Sequence, residues 1–150
     1  MFKLIYRDGA PENAGHYEVI DKAAGTALAV GRLVKVSGGV ASAYDGSGDE
    51  TLPPYGVVAI NAAANEDEVT VLKITQDMIF RAEFVGSTVS PTLNVGGVYG
   101  ISEGGVSPYG IFCFQITNVV DAITDIDNGD EYIKAATVEG RFVDVRSTVG

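Results

Sequence analysis

Apolar and polar positions alternate over short spans along this chain. The most regular span is VTVLKITQDMIFRAEF, residues 69–84, which contains neither Gly nor Pro. In its second half Met78, Phe80, Ala82 and Phe84 share one parity, and Arg81 and Glu83 the other. That is the pattern of a half-buried strand. The first half, VTVLKI, is apolar at both parities, as in a strand covered on two sides. Extended at about 3.3 Å per residue, the whole span would reach roughly 53 Å. A compact domain of 150 residues is only about 40 Å across. Thr75-Gln76-Asp77 is the one polar interruption, so two strands are predicted, with a bend between them.

The same reading extends to the rest of the chain. FKLIY near the N-terminus is apolar enough to pair, and the turn-rich RDGAPENAGH follows it. Residues 1–22 are therefore expected to form an extended N-terminal arm, and residues 23–150 a single β-domain. EVIDKAAGTALAV (18–30) reads as extended or irregular, because Gly25 and Thr26 interrupt its Ala-rich run. GRLVKVSGGVASAY reads as strand, Gly-Gly turn, strand. A loop (45–54), a short buried strand (YGVVAIN) and a polar connection (NAAANEDE) come next. GSTVSPT is a second loop, GGVYGIS a strand, and YGIFCFQITNVV a strand apolar on both faces. Asn128-Gly129 is a type I′ hairpin pair, followed by EYIKAATV, and Gly140 divides that strand from a final RFVDV. The prediction is an all-β antiparallel β-sandwich or β-barrel of about nine or ten short strands.

Composition agrees with this picture. Apolar residues make up 46%, with 19 Gly, five Pro and no Trp, which suits short strands joined by tight turns. Ten Lys and Arg against 20 Asp and Glu give a net charge of −10. Such a field repels phosphate backbones, so nucleic-acid binding is disfavoured. The N-terminus lacks the apolar core of a signal peptide, and no run approaches a membrane span. One Cys precludes an internal disulfide. Folding in a reducing cytoplasm is expected.

Candidate chemistry is sparse. The single His, His16, lies in a Gly-flanked loop, and the single Cys, Cys113, lies between two Phe, where a small buried hydrophobe is expected. One of each is too few for a zinc site. Two acidic loops have oxygen donors for calcium: Asp45, Asp49 and Glu50 in one, DIDNGDE (125–131) in the other. The second places Gly129 fifth and Asp130 sixth, where the calcium-loop template requires Gly sixth. A phosphate-cradling GxxxxGK[ST] is absent. Most Tyr and Phe fall in alternating strands, as core residues do. No catalytic residue, metal or cofactor is assigned, and a non-enzymatic protein is expected.

The order of the pieces is more specific. It runs GTALAVGRLVKVSGGVASAY, YGVVAINAAANEDEVTVLK, MIFRAEF, GGVYGISEGGV. This resembles the small decoration (cement) proteins of tailed-bacteriophage capsids over residues 24–107. Matching positions are Gly31, Val34, Val36, Gly39, Gly56, Val57, Val69, Val71, Phe80, Gly97, Tyr99 and Gly104. The resemblance implies a virion structural protein on the capsid exterior, assembled in the host bacterial cytoplasm. It would bind the major capsid protein, associate with itself as a homotrimer or dimer, and cement neighbouring capsomers. No nucleic acid, membrane or cofactor is implied. Phe2, Leu4, Ile5 and Tyr6 are the candidate capsid- or subunit-contact residues, since an edge strand of a partner could accept FKLIY. The alternative is that FKLIY is the first strand of its own sheet. Three other readings stay open: a virion-borne host- or carbohydrate-binding β-module, marked by exposed aromatics in 86–110; an enzyme of unrecognised type, marked by a deep pocket with convergent carboxylates; and a phage tail or neck protein.

Overall fold

The computed structural model describes residues 1–7, 16–46, 50–85, 93–102 and 104–146. The loop expected at 86–92, most of RDGAPENAGH and the candidate calcium donor Asp49 lie outside them. Eleven strands follow in order: β1 Lys3–Arg7, β2 Tyr17–Lys22, β3 Leu33–Ser37, β4 Val40–Ala43, β5 Gly56–Val58, β6 Glu68–Lys73, β7 Met78–Phe84, β8 Val98–Ser102, β9 Gly105–Ser107, β10 Phe112–Asp127 and β11 Asp130–Arg146. The described residues contain no helix. The chain is all-β, as its alternation predicts.

The strands form two sheets. One is a closed barrel in the order β2-β4-β3-β5-β6. It is built on the expected Gly-Gly hairpin, whose Gly38 and Gly39 have φ of 59° and 79°, the left-handed region that a type I′ turn requires. The interior is narrow and filled by Val34, Ala41, Val58, Val69 and Val71, with Leu28 and Ala62 beside them. At Gly56 a Cβ would lie 2.7 Å from the Leu72 carbonyl oxygen, so no larger residue fits between β5 and β6.

The second sheet runs β1-β7-β11-β10-β8-β9, and a β7–β9 contact at Phe84 and Val106 curls it back on itself. Its core is aromatic. Phe2, Phe80, Phe114 and Phe142 meet with ring centroids 5.1 to 5.6 Å apart, mostly edge to face, the arrangement that the ring quadrupole favours. Leu33, Tyr44, Val57 and Leu72 of the barrel side join this same cluster. The barrel strands thus turn one face to this cluster, while the barrel interior holds a second, separate one.

The 69–84 span divides as predicted, and the bend also carries the chain from one sheet to the other. β6 belongs to the barrel and β7 to the curled sheet. Between them Met78 N donates to Thr75 O at 3.2 Å, and the Thr75 hydroxyl bonds the Asp77 carboxylate. Met78, Phe80, Ala82 and Phe84 are buried, while Arg81 and Glu83 are exposed.

Three expectations need correction. Among the described residues the strands number eleven, and the last two run 16 and 17 residues. Gly140 does not end a strand. It lies inside β11, where a Cβ would fall 2.2 Å from Gln115 O and 2.6 Å from the Phe114 ring. The glycine marks close packing, not a turn. Nor do residues 1–22 form a free arm: β1 pairs with β7, and β2 lies between β4 and β6 to close the barrel. Residue 22 is the end of a barrel strand, not a boundary.

The β10–β11 hairpin has two unlike halves. At its base Cys113, Phe114, Ile116, Val138 and Phe142 are buried. Beyond it, every residue from Val120 to Glu131 is exposed. Asn128 and Gly129, with φ of 51° and 84°, form the predicted turn at the end.

Candidate functional site

The concavity nearest the expected contact residues lies between the N-terminal segment and the barrel. It measures about 680 Å³ and is lined by Met1 and Leu4 on one side and by Tyr17, Val30 and Ile60 on the other. These side chains are unusually open for their type: Ile60 is 62% exposed, Tyr17 52% and Val30 49%. Contiguous exposed apolar groups of this kind mark interaction surfaces.

The groove exists because the N-terminus is anchored. Phe2 N donates to Gly31 O at 3.0 Å. Gly31 has φ of 88°, and a Cβ there would sit 2.7 Å from the Met1 Cβ. Only glycine permits that backbone and that approach. The Met1 ammonium donates to Glu83 at 2.6 Å and to the Gly104 carbonyl at 3.0 Å. That hydrogen bond, with the ammonium charge behind it, holds the Glu83 carboxyl below the ordinary carboxylate range.

The four sequence-predicted contact residues are not placed alike. Phe2 is 4% exposed, with its ring 5.6 Å from Phe114 and 5.4 Å from Phe142. It is a core residue of its own chain. Leu4 and Ile5 are partly buried, and Leu4 lines the groove. The backbone of Tyr6 pairs with Ile79. The strand reading of FKLIY is the one observed, and the β1 edge that faces β7 is already paired. Tyr17, Val30 and Ile60 were not singled out by sequence. Exposed Tyr17 and Val19 alternate along β2 as core residues do elsewhere, so their pattern alone does not show which side faces solvent.

The titratable groups cluster at the same end of β2, where His16 and Glu18 flank Tyr17. His16 Nε2 lies 3.2 Å from Glu18 Oε1, and the Tyr55 hydroxyl donates to the other Glu18 oxygen. The Lys73 ammonium stands 5.6 Å from the Tyr55 ring centre, within cation–π range. The Tyr55 bond lowers the Glu18 pKa and raises that of Tyr55. A phenol held protonated in this way is a poor base, and the cluster reads as a fastening of β2 to β5 and β6. A second groove of about 610 Å³ adjoins it, lined by Pro53, Pro54 and Tyr55 and by the Lys35–Glu50 pair. Cys113 is fully buried beside Tyr44, and burial pushes its thiol up to about 12, far from a reactive thiolate. Among the described residues no group of three or more His, Cys, Asp or Glu could hold a metal ion. What this surface can do is bind apolar side chains.

No family model, no curated protein and no solved structure matches the chain.

Proposed function

We propose that the protein is a non-enzymatic virion structural protein that binds the outside of a phage capsid and cements neighbouring capsomers. The sequence resemblance over residues 24–107 supports the reading. Its matching positions are turn and core positions here: Gly31 and Gly39 have positive φ, and Val34, Val71 and Phe80 are completely buried. The geometric observation that carries it is the open apolar groove of Leu4, Tyr17, Val30 and Ile60. The partners are the major capsid protein and further copies of the chain, as a homotrimer or dimer. Several modest contacts held on one assembly gain strongly from effective concentration.

The test is light scattering and co-sedimentation with capsids of the phage that carries the gene. The expected result is an oligomer that sediments with the shells and raises their disruption temperature. Ile60→Asp should weaken that association by about thirtyfold, a contact of about 2 kcal/mol, with the fold intact. A monomer that ignores capsids overturns the reading and directs the search to glycans, for which Tyr109, 67% exposed, is the place to begin.

A further inference from the structure

The outer part of the β10–β11 hairpin is the largest feature that the groove does not use. Neighbouring strands pair only with its base, although packing reaches further, to Ile133, which is fully buried in the aromatic core. β8 pairs with residues 112–115, Ile116 bonds to Gly96 and Gly97, and β7 pairs with residues 136–140. No neighbouring strand pairs with residues 117–127 of β10 or 130–135 of β11 among the described residues. Both outer edges therefore carry main-chain donors and acceptors with no strand beside them. Eleven extended residues, 117–127, reach roughly 36 Å at about 3.3 Å each. A two-stranded ribbon without a third strand is only marginally stable in water. Yet this one also exposes Val120, Ile123 and Ile126, at 44%, 59% and 68%.

Charge selects what could cover it. Asp121, Asp125, Asp127, Asp130 and Glu131 stand against one cation, Lys134. Lys134 is 3.9 Å from Asp125, and Asp121 accepts from Thr137 N. Asp127, Asp130 and Glu131 form no ion pair among the described residues. Two such tips laid edge to edge would bring like charges together, which guards the open edge against copies of itself. Nucleic acid and anionic lipid are repelled in the same way.

We infer that the hairpin tip is a docking ribbon for a second protein whose contact surface is basic. That partner adds a strand or extended segment along the outer edge of β10. Main-chain bonds and Ile123 and Ile126 supply the attraction, and the carboxylates select Lys- and Arg-bearing partners. The inference rests on the hairpin and stands apart from the capsid reading.

The test uses the full-length protein and a synthetic twelve-residue peptide of alternating Lys and Thr. The same peptide with Glu for Lys is the control. Amide NMR should show shifts confined to residues 117–135, with slowed hydrogen exchange along β10. The lysine peptide should bind at least tenfold more tightly than the glutamate one. Roughly 1 M salt, where the screening length is about 3 Å, should weaken binding by a similar factor. The variant D125N/D127N/D130N/E131Q should lose the lysine preference while its remaining spectrum is unchanged. Equal binding of both peptides, shifts outside the hairpin, or no shifts with millimolar peptide would overturn the inference. Capsid sedimentation is scored separately, so failure there removes the functional reading and leaves the peptide result to decide this one.

Discussion

The base and the tip of the β10–β11 hairpin are made of the same two strands, joined by one turn, and they obey different physics. At the base, side chains on both faces meet neighbours: Phe114 and Phe142 stack in the aromatic cluster, and Cys113 and Ile116 are sealed. At the tip, no residue from Val120 to Glu131 is covered. Strand pairing continues from one half to the other with several bulges, so backbone geometry does not separate them. Tertiary burial does. The base supplies stability to the whole fold, and the tip contributes surface.

The sharpest test is Phe114→Ala. Its ring is fully buried between Phe2 and Phe142. Removal should cost about 3–5 kcal/mol, a large share of the total for a domain of this size. Chemical denaturation would measure it. A loss below about 1 kcal/mol would mean that the base packs loosely and that the contrast with the tip is false.

How much of this contrast was legible beforehand depends on range. Local signals served well. Thr75-Gln76-Asp77 placed the bend, Gly38-Gly39 and Asn128-Gly129 placed turns, and the parity of Met78 to Phe84 chose the buried face. Each rests on residues adjacent in the chain. Signals that need a distant partner were missed. FKLIY has the composition of a sticky segment, but that it pairs with β7, some 75 positions on, is a tertiary fact. Gly140 looks like a break because glycine is usually a turn residue, and only the close approach of the Gln115 carbonyl and the Phe114 ring on β10 explains it. Likewise Ile123 and Ile126 read like Cys113 and Ile116. Nothing within the strand tells which apolar residues find a cover. For the same reason the groove at Tyr17, Val30 and Ile60 could not be assembled from sequence, since its walls come from separate segments.

A second test addresses the border between the two halves. Glu139 on β11 accepts from Asn118 Nδ2 at 2.9 Å and from Arg81 Nη2 at 2.7 Å. The Asn118 bond first, and Arg81 with it, hold its carboxyl below the ordinary value of 4.5. A carboxylate depressed in the folded state adds stability above its unfolded pKa and loses it as pH falls through the folded one. Stability should therefore decline as the pH is lowered from about 5 towards 3. Glu18 and Glu83, also lowered, add to that decline. Asn118→Ala should make the acid slope shallower than that of the parent protein. Thermal melts across this range decide it, and equal slopes would remove Asn118 and Glu139 from the account.

The smallest expected effect is the most informative about purpose. Ile126→Ser changes a residue that is 68% exposed and paired across the hairpin with Glu131. With little apolar surface covered, its loss should alter stability by less than about 0.5 kcal/mol. An isoleucine so placed gives the fold almost nothing, and a serine would be equally well tolerated and better hydrated. If denaturation shows the two to be equal while binding to the lysine peptide weakens, the apolar side chain serves a partner. If Ile126→Ser instead costs about 2 kcal/mol or more, as a buried isoleucine would, the tip is covered in solution by its own chain. It would then belong with the base.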